Sequence, residues 1–543
     1  MPAGFNLIAM VTVVTGFAAL FWDIDLPMVT MRQATKQIIP QDHKPDFFDT
    51  EYLKSHLKGR SIRAGGITLF FQGSQFLLHA CSTLVLARLL DPSDFGLIAM
   101  VTAITGFAMM FGNLGLSTAA VQKAEINHHQ VSTLFWINVG LGVLIAAVVI
   151  SLAPAVAWFY GDPRLTPVTM VLGVAFIFHG LTVQHMAMLE RHMRFFAIGI
   201  VGITSVGVGV GAAIVAGILG AGYWALVLMH VVLAAAGAIG KWIAFPWKPG
   251  LPKRGVGVRE LLGFGGNVTG FNIVNYLSRN ADNILIGKLL GPAALGFYSK
   301  AYGLLMMPIT QIRGPLMGVG MPALSRLQAE PQRYKNYYLK MVQMLAFITI
   351  PMAILLGAYS HQIIMLVLGP KWEQAVGIFR ILAFAAIIQP VAGTAGLVML
   401  SSGHAGRYFK MGVFTSVAFV TSFLIGLPWG TSGVALSYTI ANYILVVPTL
   451  LYAFNGTPVH VIDFGRAISL PFIAASIMVM TSRIIFYLCS DFVSWLALLI
   501  ALFAGGLFYI AGYLALPGGL RLLKDIKTNV KLFFHAHFGS NVI

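Results

Sequence analysis

"LARLLDPSDFGLIA" (residues 86–99) returns, altered but in register, as "IGKLLGPAALGFYS" (286–299). The two stretches share Leu-Leu, Pro and Gly at matching places and set Arg88 opposite Lys288. Downstream, "VQKAEINHHQV" (121–131) parallels "RLQAEPQRYKN" (326–336) more loosely. An offset of about 200 residues that recurs in this way predicts a chain made of two similar halves. Whether those halves point the same way depends on what lies between them.

Composition says what lies between. Of 543 residues, 58% are hydrophobic and only 10% charged, with mean hydropathy +0.82. Soluble domains carry about 25% charge, so this is an integral membrane protein. The apolar runs are about 20 residues long, and backbone groups in lipid must be satisfied within the segment, which predicts an all-α chain rather than a barrel. Uninterrupted apolar stretches begin near residues 64, 95, 131, 166, 195, 222, 264, 294, 339, 374, 409, 432, 467 and 492. That pattern predicts about fourteen transmembrane helices, six of them between the repeated motifs. An even number keeps both halves in one orientation, a parallel repeat about an axis along the membrane normal, as in transporters whose lobes rock around a central site.

Charge orients the helices. The net charge is +17, which in a soluble chain would suggest nucleic acid, but the basic residues sit mainly in loops between apolar runs. With the segment before the first span taken as cytoplasmic, 26 of the 35 Lys and Arg fall inside and four outside: Arg88, Arg164, Lys288 and Lys371. The positive-inside rule then places both termini in the cytoplasm. The outer loops are short, which leaves no room for the extracytoplasmic domain that a membrane glycosyltransferase or ligase needs. No paired-carboxylate motif stands in for one, so no catalytic residue is expected. The two cysteines, Cys81 and Cys489, lie in apolar runs, support neither a disulfide framework nor a metal site, and read as packing residues.

The expected organisation follows. Residues 1–45 form an amino-terminal extension and 46–63 a basic cytoplasmic lead-in. Spans one to six make a first lobe (64–244), followed by a basic linker (245–263). Spans seven to twelve make a second lobe (264–454), then spans thirteen and fourteen (455–515) and a basic tail (516–543). The extension holds a second, different duplication, "LIAMVTVVTGFA" (7–18) against "LIAMVTAITGFA" (97–108). It decays past Phe21 and offers only about 17 apolar residues, the lower edge of spanning length. It reads as a spare fragment of span two, with an interfacial helix as the alternative.

Charges within the spans mark candidate functional positions, because an Arg or Lys at a helix centre costs roughly 2.5–3.5 kcal/mol to insert and faces the bundle interior. Five basic residues qualify: Arg279, Lys300, Arg313, Arg380 and Arg483. Arg279 lies three residues before Asp282, the one acid placed inside a span, so the two share a helical face and can pair. The set is net positive, the balance a cavity needs to receive a pyrophosphate, whose oxygens Arg can hold bidentately. Arg279, Arg313, Lys300 and Arg380 are therefore the expected cavity residues, with Arg88 and Lys288 at its rim. Arg483, on span thirteen, reads as a headgroup contact. Gln72, Gln75 and His79 form a polar stripe on span one that should face the cavity, since lipid would penalise it, which adds Gln72 and Gln75 to the expected cavity residues; hydrogen bonding between packed helices is the alternative. His179, His185 and His230 are scattered and read as packing groups.

The stretches "VLARLLDPSDFGLIAMVTAITGF", "NLGLSTAAVQKAEI", "RNADNILIGKLLGPAALGFYSKAYGLLMMPITQI" and "MPALSRLQ" resemble the polysaccharide transporter family of the multidrug/oligosaccharidyl-lipid/polysaccharide (MOP) superfamily, in the branch of Wzx-type lipid-linked oligosaccharide flippases. The resemblance runs from about residue 46 to 515. It implies two pseudo-symmetric six-helix lobes plus two carboxy-terminal helices in the bacterial inner membrane. It also implies a polyprenyl-pyrophosphate-linked glycan as substrate, moved by alternating access, with a polysaccharide polymerase and export machinery as partners. The alternative is a MATE-like small-molecule or ion antiporter, which wants an unpaired intramembrane acid in a less cationic cavity. No nucleotide-binding motif is present and no cofactor is expected. Asp282 is the candidate for proton or sodium coupling.

Overall fold

The computed structural model describes residues 57–113, 126–253, 258–489 and 494–515. The first copy of the duplicated segment (7–18), the extension that holds it and the basic tail lie outside the described residues, as do residues 114–125, which include the start of the downstream motif. Every described residue with regular structure is helical. The first half holds α1 (Leu57–Leu89), α2 (Pro92–Asn113), α3 (His128–Tyr160), α4 (Leu165–Gly173), α5 (Ala175–Arg191), α6 (Phe195–Ile218) and α7 (Tyr223–Ala244). The second holds α8 (Val258–Arg326), α9 (Pro331–Ala358), α10 (Ser360–Val367), α11 (Glu373–Ala392), α12 (Ala395–Ser401), α13 (Ala405–Gly426) and α14 (Gly430–Phe454). A last pair follows, α15 (Val461–Leu488) and α16 (Ser494–Ala515).

Eleven stretches among the described residues are long and apolar enough to cross a membrane, against the fourteen expected. One of them, Ala405–Phe454, contains both α13 and α14, joined through a short 3-10 turn at Leu427–Trp429. The 69-residue α8 is absent from the set because its two arms carry Arg279, Asp282, Lys288, Lys300 and Arg313 as well as several asparagines. Gly291 (φ 85°, ψ 177°) folds α8 into those two arms, a backbone setting that only glycine adopts without strain. Helix starts fall close to the sequence expectation except where a polar first turn precedes the apolar run. Thus α9 begins at Pro331 rather than 339, with proline at the position where its missing N–H is harmless. These longer helices also bring Asp94, Glu190, Glu373 and Asp463 within spanning segments, all in terminal turns; Asp282 is the acid buried in a helix interior.

Within the first lobe α3 crosses α5 where Gly142 meets the Phe176 carbonyl and Gly180 the Asn138 carbonyl; a Cβ at either would stand 2.6 Å from the opposing oxygen. Close backbone approach of this kind is how helices associate where burial from water supplies no drive. In the second lobe α11 packs on α9 and α14, and α15 leans on α9 and α16. The lobes meet chiefly through α2 and α8. Large apolar side chains such as Leu219 (79% exposed) and Phe503 (73%) point outward, the surface a lipid-facing helix presents.

Two ends of the bundle can be told apart. One carries Arg88, Arg164, Gly291 and Lys371, here the Arg88 end. At the other, the segment 245–253 is strapped to the start of α3: Trp136 Nε1 donates to the Gly250 carbonyl (2.9 Å), Trp247 Nε1 to His128 Nδ1 (3.1 Å), and Lys253 Nζ lies 3.2 Å from His129 Nε2. Lys335 pairs with Asp463 (2.6 Å) at this same end, the Lys253 end.

Candidate functional site

The kink at Gly291 turns α8 back on itself, so residues before and after it share one region. Asp282 of the first arm is buried and accepts a hydrogen bond from the Tyr298 hydroxyl of the second arm (3.0 Å). Its other oxygen accepts from the Asn283 backbone N–H (2.8 Å). No ion pair joins it to Arg279 among the described residues: α-helical spacing lets the two pair, but the carboxylate turns to the tyrosine packed against it. Tyr298 stacks on Tyr302 one turn later (centroids 6.5 Å apart, planes 2° from parallel). Gln389 of α11 donates to the Tyr438 hydroxyl of α14 (2.9 Å) and more weakly to that of Tyr302 (3.5 Å). A polar thread therefore runs from Asp282 through Tyr298, Tyr302 and Gln389 to Tyr438 inside the second lobe.

Arg313, on the second arm, lies beside this thread. Its Nη2 donates to the Gly393 carbonyl at 3.3 Å, a long bond, and its Nε is buried without a partner. Arg279 is exposed, and its charge lies within electrostatic range of Arg313. Two like charges in one region repel unless an anion lies between them, and a guanidinium with donors left over presents the fork that carboxylate and phosphate oxygens fit. The geometry can thus bind an anionic group. No cluster of His, Cys, Asp or Glu suited to a metal occurs among the described residues.

The other expected cavity residues are dispersed. Lys300 holds its ammonium 4.1 Å from the centroid of the Phe95 ring, on the opposite lobe. Arg380 is exposed on α11 and takes part in none of the bonds that hold Arg313. Gln75 packs against Gly202 of α6, inside the first lobe, while Gln72 beside it is exposed. Arg88 and Lys288 both stand at the Arg88 end: Arg88 Nη2 donates to the Leu366 carbonyl (2.7 Å) and Lys288 lies 5.3 Å from the Phe159 ring. Arg483 stacks over Tyr359 (5.7 Å) and donates to the Ala358 carbonyl. His185 is fully buried against Trp242 (4.3 Å). Cys81 is exposed rather than packed. Sequence reasoning missed the tyrosines; Tyr298 and Tyr302, four apart on one face of an intramembrane helix, were the available signal.

Comparison with known proteins agrees with this architecture. The chain is similar to the lipopolysaccharide biosynthesis protein WzxC of Escherichia coli (25% identical, over 68% of this chain and 77% of that one). It is likewise similar to the teichuronic acid biosynthesis protein TuaB of Bacillus subtilis (28% identical, over 66% and 73%). Among solved structures, the lipid II flippase MurJ in an inward closed conformation superposes with a TM-score of 0.65 at 14% identity, covering 82% of this chain and 97% of that one. An inward-facing multidrug resistance MATE transporter of the MOP superfamily gives 0.56 at 13% identity, covering 72% and 95%. These two likenesses establish the fold. The family described as "Polysaccharide biosynthesis protein" matches residues 85–377, more than half of the sequence, and the chain belongs to that family.

Proposed function

We propose that this chain is a flippase that carries a polyprenyl-pyrophosphate-linked oligosaccharide, its lipid undecaprenyl, across the bacterial cytoplasmic membrane by alternating access, for exopolysaccharide, capsule or O-antigen assembly. The observation that carries the reading is Arg313 on the second arm of α8, its Nε buried without a partner, with the charge of Arg279 on the first arm within electrostatic range. A pyrophosphate fits that fork, and the glycan occupies the space between lobes while the polyprenyl chain stays in lipid. Membership of the polysaccharide biosynthesis family and the likeness to WzxC support it. Charge asymmetry sets the Lys253 end in the cytoplasm together with both termini, and the Arg88 end outside. Asp282, tied to Tyr298, is the group through which a proton or sodium gradient couples. Polymerase and export machinery consume the product.

The rival reading, a MATE-like antiporter, shares the fold. It differs in what it asks of the arginines, since a cationic or neutral drug gains nothing from two guanidinium groups. Replacing Arg279 and Arg313 with Ala, in a strain lacking the native copy, is expected to abolish glycan export while the protein still inserts. Undiminished export in both variants would remove the reading.

A further inference from the structure

The sequence repeat at 86–99 and 286–299 becomes a physical contact in the fold. Gly96 lies so close to the Pro292 carbonyl that a Cβ would overlap it, and Gly296 stands in the same relation to the Pro92 carbonyl. The matched glycines and prolines of the two lobes thus touch each other reciprocally, each helix start crossing the other. The matched cations behave the same way: Arg88 of the first lobe reaches Leu366 of the second, and Lys288 of the second reaches Phe159 of the first. Around this crossing lie bonds that have no repeat partner. Lys371 Nζ pairs with Asp91 Oδ1 (2.7 Å), and Trp372 Nε1 donates to the Ala87 carbonyl (2.9 Å), with Phe95 edge-on to the Trp372 ring.

We infer that the reciprocal Gly96–Pro292 and Gly296–Pro92 crossing, latched by the Asp91–Lys371 ion pair, is the outer gate of this transporter, and that it must part in each cycle. This rests on the flippase reading for its direction and on the contacts alone for its existence. Closure is permitted by the two glycines, because only a residue without Cβ lets backbone meet backbone here. Opening is permitted by what surrounds them. Asp91 and Lys371 are both exposed at 65% and 50% of their side-chain surface, so water replaces their bond at small cost, as at surface ion pairs generally. A permanent latch would be expected to bury its ion pair; this pair stays wet, and opening must also part the buried Trp372–Ala87 bond and the Lys300–Phe95 contact beneath it.

The test uses the full-length chain with Cys81→Ser and Cys489→Ser as background, into which Asp91→Cys and Lys371→Cys are introduced. A short bis-methanethiosulfonate linker that spans the ion-pair distance is expected to arrest export, with recovery on adding reductant, while a long flexible linker leaves export intact. Undiminished export with the short cross-link complete would overturn the gate and make the crossing a fixed pivot, leaving the flippase reading untouched. A second measurement needs no glycan. In protein whose single thiol comes from Ala87→Cys, fully buried beneath the crossing where Trp372 meets it, adding Gly96→Ala or Gly296→Ala wedges the crossing, and labelling of that thiol by a membrane-impermeant maleimide is expected to rise several-fold. Unchanged labelling in a variant that inserts normally would likewise overturn it.

Discussion

At the Arg88 end the cations are engaged: Arg88 with a carbonyl, Lys371 with Asp91, Lys288 and Lys300 with aromatic rings, Arg164 with Asp162. Deeper along α8 the two arginines are not: Arg313 has one long bond and a buried Nε left over, and Arg279 has no ion-pair partner among the described residues. Both groups are basic residues in or beside apolar helices, and composition does not separate them. What separates them is whether donors are already used. A cation whose donors meet its own protein fastens one part of the chain to another, whereas a cation with free donors, held near a second one, awaits something anionic.

The largest effects should follow the unused donors. A charge-assisted hydrogen bond is worth about 1.5–3 kcal/mol, so Arg313→Ala and Arg279→Ala should each weaken retention of the lipid-linked substrate by about tenfold or more, read as export rate in cells or as binding of a short-chain pyrophosphate analogue to purified protein. Arg313→Lys sharpens the comparison. Lysine keeps the charge but offers no planar fork, so export should settle between the parent and Arg313→Ala; full activity would show that only net charge matters there.

How far the sequence discloses this division can be followed residue by residue. The membrane class, the all-helical fold and most helix starts were legible, because each rests on runs or spacings that survive in one dimension. Arg279 and Arg313 were legible as costly intramembrane charges. Their separation from Lys300 was not, since Phe95 stands 205 positions away on another helix and only folding brings its ring under the ammonium. Which group Asp282 meets was hidden for a related reason: helical spacing gives Arg279 the opportunity, and Tyr298, delivered by the turn at Gly291, takes the carboxylate. The reciprocal glycine crossing lay in plain view as a repeat, yet that the two copies touch each other is a fact of packing.

Lys300 offers a way to break the comparison. It was expected to line the cavity, and the structure seats it on Phe95, which in turn meets Trp372 at 5.4 Å. Desolvated cation–π contacts are worth up to about 2 kcal/mol. Methionine retains the stem and some ring contact, so Lys300→Met should lower thermal stability in detergent by about 1 kcal/mol while export persists. Collapse of export with unchanged stability would move Lys300 into the substrate site and blur the line between the two groups.

The smallest effect belongs to Arg164, the outer-loop cation whose bonds stay within its own turn. It holds Asp162 through Nε and Nη2 (2.7 Å at closest), and those hydrogen bonds keep the Asp162 carboxyl below its usual range. A carboxyl whose folded pKa is depressed contributes stability that is fully present above its unfolded value, about 3.9, and is lost as pH falls through the lower folded value. The pair is partly exposed, with 46% of the Arg164 side chain open to solvent, so solvent screening limits the contribution to a fraction of a kcal/mol. Asp162→Asn should therefore sit slightly below the parent in unfolding measurements from neutral pH down to about 4, and the gap should close below that. A gap that widened in acid would mean that Arg164 is stabilising something other than this carboxylate, and that it belongs with the uncommitted arginines after all.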